Sequence, residues 1–88
     1  EGLTADIVGP ICEDGDFLGR ERKIERPKAG DLLSIMNAGA YSFSMSSNYN
    51  ARLRPAEVMV IGRDFHIIRE AETEEDLICH QRIPDVLK

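Results

Sequence analysis

Two short runs of this chain place side chains of reactive types close together. In Gly9-Pro10-Ile11-Cys12-Glu13-Asp14-Gly15-Asp16 a thiol stands beside a carboxylate, and in Gly39-Ala40-Tyr41 a phenol follows two small residues. An unperturbed thiol titrates near ~8.5, close enough to neutrality that a suitable setting lets it give or take a proton. A carboxylate next to it can hold an ammonium group. A phenol offers one donor to a phosphate oxygen, and small residues before it keep the wall open. Each feature also has an ordinary explanation. A cysteine among apolar residues is commonly just packed, Glu13 and its neighbours suit a solvated turn, and Tyr41 suits the half-buried end of a core strand. Met45-Ser46-Ser47-Asn48-Tyr49-Asn50 is open to two readings: a pocket lining, or a loop in which Ser and Asn satisfy backbone groups.

Other candidates are weaker. His66 lies beside Phe65 on what reads as a hairpin arm, and Cys79-His80 invites a metal reading. Together with Cys12 these residues lack any zinc spacing, so no metal site is expected. Cys12 and Cys79 do not form a disulfide framework and are read as reduced thiols. The chain shows no Gly-rich phosphate loop and no Ser-His-Asp order.

The elements that must position these groups read as mostly β. Residues 3–12 suit a strand ending near Gly9-Pro10, with Glu13-Asp14-Gly15-Asp16 as a turn in which Gly15 takes a positive φ. Phe17-Leu18 suits the start of a short strand, and residues 19–31 read as a charged loop. Leu32–Ala40 is nearly continuously apolar, as expected of a strand buried on both faces. Residues 42–50 suit a short helix or an ordered loop, and Arg52-Leu53-Arg54-Pro55 an extended segment. Glu57–Ile61 and Phe65–Arg69 read as a hairpin around Gly62-Arg63-Asp64. Thr73 is placed to cap a short helix, with Asp76 standing in for the usual Glu and Pro84 bounding it. The fold expected is one small domain over residues 1–88: an antiparallel β-barrel or sandwich with one short C-terminal helix.

Composition bounds the function. The 88 residues carry a net charge of −5, and the one basic run, Arg20 to Arg26, is interrupted by Glu21 and Glu25. That balance argues against nucleic-acid binding, and no apolar stretch reaches the ~20 residues of a membrane helix. A domain this small buries only about 60–65% of its unfolded surface, so it should lean on a partner. The start at Glu1-Gly2-Leu3 reads as the middle of a longer protein.

Taken in order, Gly9-Pro10-x-Cys12-Glu13-x-x-Asp16, Gly30-Asp31, Gly39-Ala40-Tyr41, Met45-Ser46-Ser47-x-Tyr49-Asn50 and Arg54-Pro55-x-Glu57-Val58 resemble the C-terminal domain of the diaminopimelate decarboxylases, a family of alanine racemase-like pyridoxal-phosphate enzymes. The resemblance spans nearly the whole chain. It implies a cytoplasmic homodimer in which an N-terminal (β/α)8 barrel, absent here, carries the lysine that holds pyridoxal 5'-phosphate. The present chain would be the C-terminal β domain of such an enzyme. It implies that Cys12 donates the proton that replaces the departing CO2, that Glu13 contacts the distal end of an amino-acid substrate, and that Tyr41 bonds the cofactor phosphate and lies near the substrate. In such enzymes the Cys-Glu run reaches into the active site of the other subunit. Asp14 stands where a small hydroxyl residue is usual and Leu53 where proline is usual; neither bears on those roles. No lysine of this chain sits in a phosphate cradle, so the chain alone is expected to be inactive. Two alternatives stand beside this reading: a sister decarboxylase acting on ornithine, arginine or carboxynorspermidine, and a non-catalytic β module for a protein or small ligand.

Overall fold

The computed structural model describes all residues, Glu1–Lys88, and resolves them into two compact units, Glu1–Ala38 and Gly39–Lys88. Each contains a two-stranded antiparallel sheet. No residue is fully buried in either unit, and no helix is long and apolar enough to cross a membrane.

The first unit is a hairpin of β1 (Gly2–Val8) and β2 (Phe17–Glu25). Alternate residues Leu3, Ala5 and Ile7 turn to the less exposed side of β1, the two-residue period of a half-covered strand. The charged run expected to be a loop is therefore a strand. Its ladder partners are the backbone groups of β1, and its charges lie outward on a sheet with open edges, where charge discourages further pairing. The register slips between Ala5 and Ile7, a β-bulge in which Glu21 adopts φ 49°. The Asp6 carboxylate holds this bulge by accepting the Glu21 N–H at 2.8 Å.

Leu32–Ala40 forms no strand, contrary to the sequence expectation. The segment makes no ladder, Leu32 is 96% exposed, and a turn at Met36-Asn37 breaks it, with Asn37 at φ 56°. Apolar composition marks a surface that seeks cover; it does not itself supply a pairing partner.

The second unit opens with a single helical turn, α1 (Gly39–Ser42), so Gly39-Ala40-Tyr41 begins a helix and does not end a strand. A 3₁₀ turn follows at Tyr49–Ala51. The hairpin of β3 (Glu57–Ile61) and β4 (Asp64–Arg69) forms where expected, with Gly62 at φ 61° in its turn. The helix α2 (Glu74–Ile78) also forms: the Thr73 N–H donates to the Asp76 carboxylate at 2.8 Å. A 3₁₀ turn, Asp85–Leu87, follows Pro84. The outcome is mostly small antiparallel sheets with few helices, and the chain contains no closed barrel.

The bulge gives two substitutions of opposite sign. Asp6→Ala removes an acceptor from the Glu21 amide and should lower the unfolding free energy of the intact protein by about 1 kcal/mol. Glu21→Gly relieves a left-handed L-residue, a conformation costing about 1 kcal/mol or more, and should raise it or leave it unchanged. Chemical denaturation of both variants checks the pair; a destabilising Glu21→Gly would contradict the assignment of strain.

Candidate functional site

The Cys-Glu run occupies the connection between β1 and β2. The hairpin register carries Gly9 opposite Asp16, one step past the last ladder pair, Val8 and Phe17, and the Gly9 N–H donates to the Asp16 carbonyl at 3.0 Å. The Asp16 side chain then folds over the loop and accepts the Ile11 N–H at 2.8 Å. Gly9 is required beneath it: a Cβ there would lie 2.2 Å from the Asp16 carboxylate. Cys12 sits at the centre of a three-residue turn closed by Glu13 N–H to Ile11 C=O at 2.9 Å. Cys12 and Glu13 are thus neighbours on one braced, exposed turn.

Glu13 also caps its own turn, its Oε2 accepting the Gly15 N–H at 2.8 Å, while Oε1 remains to accept from another group. Gly15 does not take the positive φ expected of it. Its lack of a side chain makes room instead for the Glu13 carboxylate, which a Cβ would meet at 2.7 Å.

Tyr41 belongs to the second unit, on α1, and is 70% exposed. Its backbone carbonyl accepts the Met45 N–H at 3.0 Å and the Ser44 hydroxyl at 3.3 Å. Phe43 follows, and Ser46 grips its carbonyl twice, by the backbone N–H at 3.0 Å and the hydroxyl at 2.6 Å. Arg54 in turn grips Ser46, donating from Nε to Oγ at 2.8 Å and from an Nη to the carbonyl at 3.0 Å. Its other Nη reaches Asn48 Oδ1 at 2.9 Å and Glu72 Oε2 at 3.1 Å. Glu72 Oε1 accepts the Arg54 N–H at 2.6 Å and the Asn48 amide at 2.7 Å. The Ser-Asn loop is therefore well bonded, the second of the two readings the sequence left open.

Sequence reasoning missed the Arg54–Glu72 centre and the brace made by Asp16. For Arg54–Glu72 the signal was the hairpin alone, without its register shift. Glu57 pairs with Arg69, and three residues beyond on either side stand Arg54 and Glu72. His66 is an exposed member of β4, Cys79 donates to the Asp76 carbonyl, and neither cysteine forms a disulfide.

Residues 1–39 match the family model described as pyridoxal-dependent decarboxylase, C-terminal sheet domain. The crystal structure of diaminopimelate decarboxylase from M. jannaschii in co-complex with L-lysine superposes on the whole of this chain with a TM-score of 0.91 at 41% identity, and the match covers 20% of that protein. Along its whole length the chain is similar to the C-terminal sheet domain of pyridoxal-dependent decarboxylases. Its curated relatives include the diaminopimelate decarboxylase of Archaeoglobus fulgidus, 53% identical over 92% of this chain and 19% of that protein. That of Neisseria meningitidis serogroup B is 57% identical over 90% of this chain and 19% of its own length. The chain thus spans about a fifth of the length of the decarboxylases it matches.

In the second unit the Glu72 carboxyl is held below its ordinary value of 4.5, chiefly by the Arg54 backbone N–H, then by the Asn48 amide and the Arg54 guanidinium, against an opposing effect of burial. A depressed carboxyl contributes stability above its unfolded pKa and loses it as pH falls through the lowered folded value. The stability gap between wild type and Glu72→Gln should therefore be full at pH 7 and narrow in acid below the ordinary carboxylate range, as read by thermal unfolding across pH. A gap independent of pH would show that the carboxylate charge is immaterial.

The brace over Cys12 gives a second expectation. Asp16→Ala deprives the Ile11 amide of its charged acceptor, a bond of about 1.5 kcal/mol, so hydrogen exchange at Ile11 should quicken about tenfold. Asp16→Asn keeps an acceptor and should recover part of the protection.

Proposed function

We propose that this chain is the C-terminal part of a diaminopimelate decarboxylase, which removes CO2 from meso-2,6-diaminopimelate to leave L-lysine. The observation that carries the reading is the whole-chain likeness to the M. jannaschii enzyme, joined to the presence here of Cys12, Glu13 and Tyr41 in the expected order. Lysine is the product of that reaction, and the related structure holds it.

When bound, pyridoxal phosphate supplies the sink for the electron pair left as the carbon–carbon bond to the carboxylate breaks. Cys12 delivers the proton that this carbon takes in place of CO2, and the thiol becomes a thiolate until solvent reprotonates it. An exposed, braced turn suits a group that must enter another surface in a fixed orientation. Glu13 Oε1 accepts from the distal ammonium of the substrate, and the self-capping bond at Oε2 sets its reach. Tyr41 fits the cofactor phosphate at one point: its phenol is exposed and offers a donor, and the space at Gly39 is open.

The rest of the site comes from outside these residues: the Schiff-base lysine from an N-terminal (β/α)8 barrel, and the opposite wall from a second subunit of a cytoplasmic homodimer. The exposed apolar residues, Leu32, Val60 and Phe65 among them, are the surface over which further strands and that barrel pack. The two hairpins are then parts of a larger β-barrel or sandwich, and the chain alone is inactive. Glu13 and the diaminopimelate decarboxylase relatives favour this substrate over ornithine, arginine or carboxynorspermidine.

In the intact enzyme, Cys12→Ala should cut CO2 release by about a hundredfold or more, in the range of general-acid contributions, with little loss of cofactor. Tyr41→Phe should weaken cofactor retention. The reverse pattern would exchange the two roles and defeat the assignment. Turnover by the 88-residue chain alone, supplied with pyridoxal phosphate, would defeat the larger proposal.

A further inference from the structure

We propose that Arg54 and Glu72 are positioning residues for Tyr41, acting through Ser46 and Phe43; this rests on the reading that the Tyr41 phenol meets the cofactor phosphate. The least exposed residues of the second unit include Phe43, Ser46, Asn48, Arg54, Glu57 and Glu72, and contacts join them into one cluster. From Glu72 the connection to Tyr41 has no gap. The carboxylate binds both the backbone and the guanidinium of Arg54. The guanidinium takes Ser46 by hydroxyl and carbonyl together. Ser46 spends its hydroxyl proton and its N–H on one acceptor, the Phe43 carbonyl. The Phe43 ring is held as well, with the Arg69 guanidinium 4.0 Å and that of Arg54 5.7 Å from its centroid. Arg69 is itself paired with Glu57 across the hairpin. Phe43 is thus tied at carbonyl and ring, two residues from Tyr41.

Tyr41 needs this support because α1 is only four residues long and Tyr41 is mostly exposed. A single helical turn does not hold itself in water. A donor placed for one phosphate oxygen must nonetheless be kept close to its productive geometry. The hairpin supplies what the turn lacks: Arg54 and Glu72 flank its open end, just beyond the Glu57–Arg69 pair that follows a register shift in the ladder.

The test is a double-mutant cycle on the intact decarboxylase. Apoenzyme is titrated with pyridoxal phosphate, and binding is followed by absorbance and protein fluorescence, without substrate. Tyr41→Phe should weaken affinity about tenfold. Glu72→Gln should weaken it several-fold, and the double variant should bind no more weakly than Tyr41→Phe. Ser46→Ala, which removes only the hydroxyl link, should behave as Glu72→Gln does and decides the matter if Glu72→Gln fails to fold. Asp6→Ala, which lowers stability at the β1–β2 bulge, should leave affinity unchanged and so separates positioning from general loosening. Independent, multiplicative losses in the cycle, or unchanged affinity in both Glu72→Gln and Ser46→Ala, would overturn the positioning role while leaving Tyr41 in place. Unchanged affinity in Tyr41→Phe would instead remove the phosphate contact, and the positioning role with it.

Discussion

The second unit is organised around a charge pair with a peptide group locked into it. Glu72 binds Arg54 at the backbone N–H and the guanidinium, and Arg54 returns its carbonyl to the Glu72 N–H at 3.0 Å. Two residues at the open end of a hairpin are thereby fastened by side chain and main chain together. Both side chains are about three-quarters covered, 25% and 23% exposed, enough to raise the attraction above that of a fully solvated pair without the full penalty of stripping two ions of water. Because Asn48 and Ser46 complete the set, neither charge is left partly satisfied, which is the condition under which a covered polar network contributes instead of costing. The loop that follows Tyr41, the course of Arg52-Leu53-Arg54-Pro55 and the closure of the hairpin all meet at this point.

A polar centre of this kind suits a chain with no buried core. Nothing in either unit is fully buried, and large apolar side chains such as Val60 and Phe65 lie 70% exposed on the hairpin. Burying apolar surface is the main driving force of folding, at roughly 25 cal/mol per Å², and most of that surface here still faces outward. A module with its apolar faces outward keeps its local shape through directional bonds, and gains its stability when those faces are covered. Such a division of labour lets the turn bearing Cys12 and the helical turn bearing Tyr41 be shaped locally, while the two hairpins answer to whatever packs against them.

Local features were legible in the sequence where a residue type dictates its own geometry. The β3–β4 hairpin followed from two β-forming runs around Gly62-Arg63-Asp64, and the α2 cap from Thr73 and Asp76. A turn at Glu13-Asp14-Gly15-Asp16 was legible from its Gly and acidic residues, but the strand read over residues 3–12 ends at Val8, so Cys12 belongs to the turn as well. Errors arose where a partner decides. Leu32–Ala40 has strand composition and no ladder, whereas Phe17–Glu25 has loop-like charge and pairs with β1. Pairing is a property of two segments, and one segment's composition does not contain it. The Arg54–Glu72 centre lies between these cases. Counted outward from the Gly62 turn, regular register would set Arg54 opposite Ala71; the shift between Glu57 and Val58 brings it opposite Glu72, so the hairpin was legible and the pairing at its open end was not.

The same reasoning explains the acidic balance. Of the 16 acidic residues, six accept a backbone N–H at a turn, a bulge or an element's end: Asp6 from Glu21, Glu13 from Gly15, Asp16 from Ile11, Asp31 from Lys28, Glu72 from Arg54 and Asp76 from Thr73. Two-stranded sheets leave many amides outside any ladder, and every turn adds more. Carboxylates are acceptors only, carry full charge at neutral pH and are short enough to fold back onto nearby backbone, so they satisfy such amides more strongly than a hydroxyl would. The acidic excess thus serves internal bonding as well as solvation. The candidate sites share this device: the turn that presents Cys12 and the loop behind Tyr41 are each closed by such a carboxylate, Asp16 in one and Glu72 in the other. A chain that cannot hold its loops by burial holds them in part by giving exposed amides at its turns an anion.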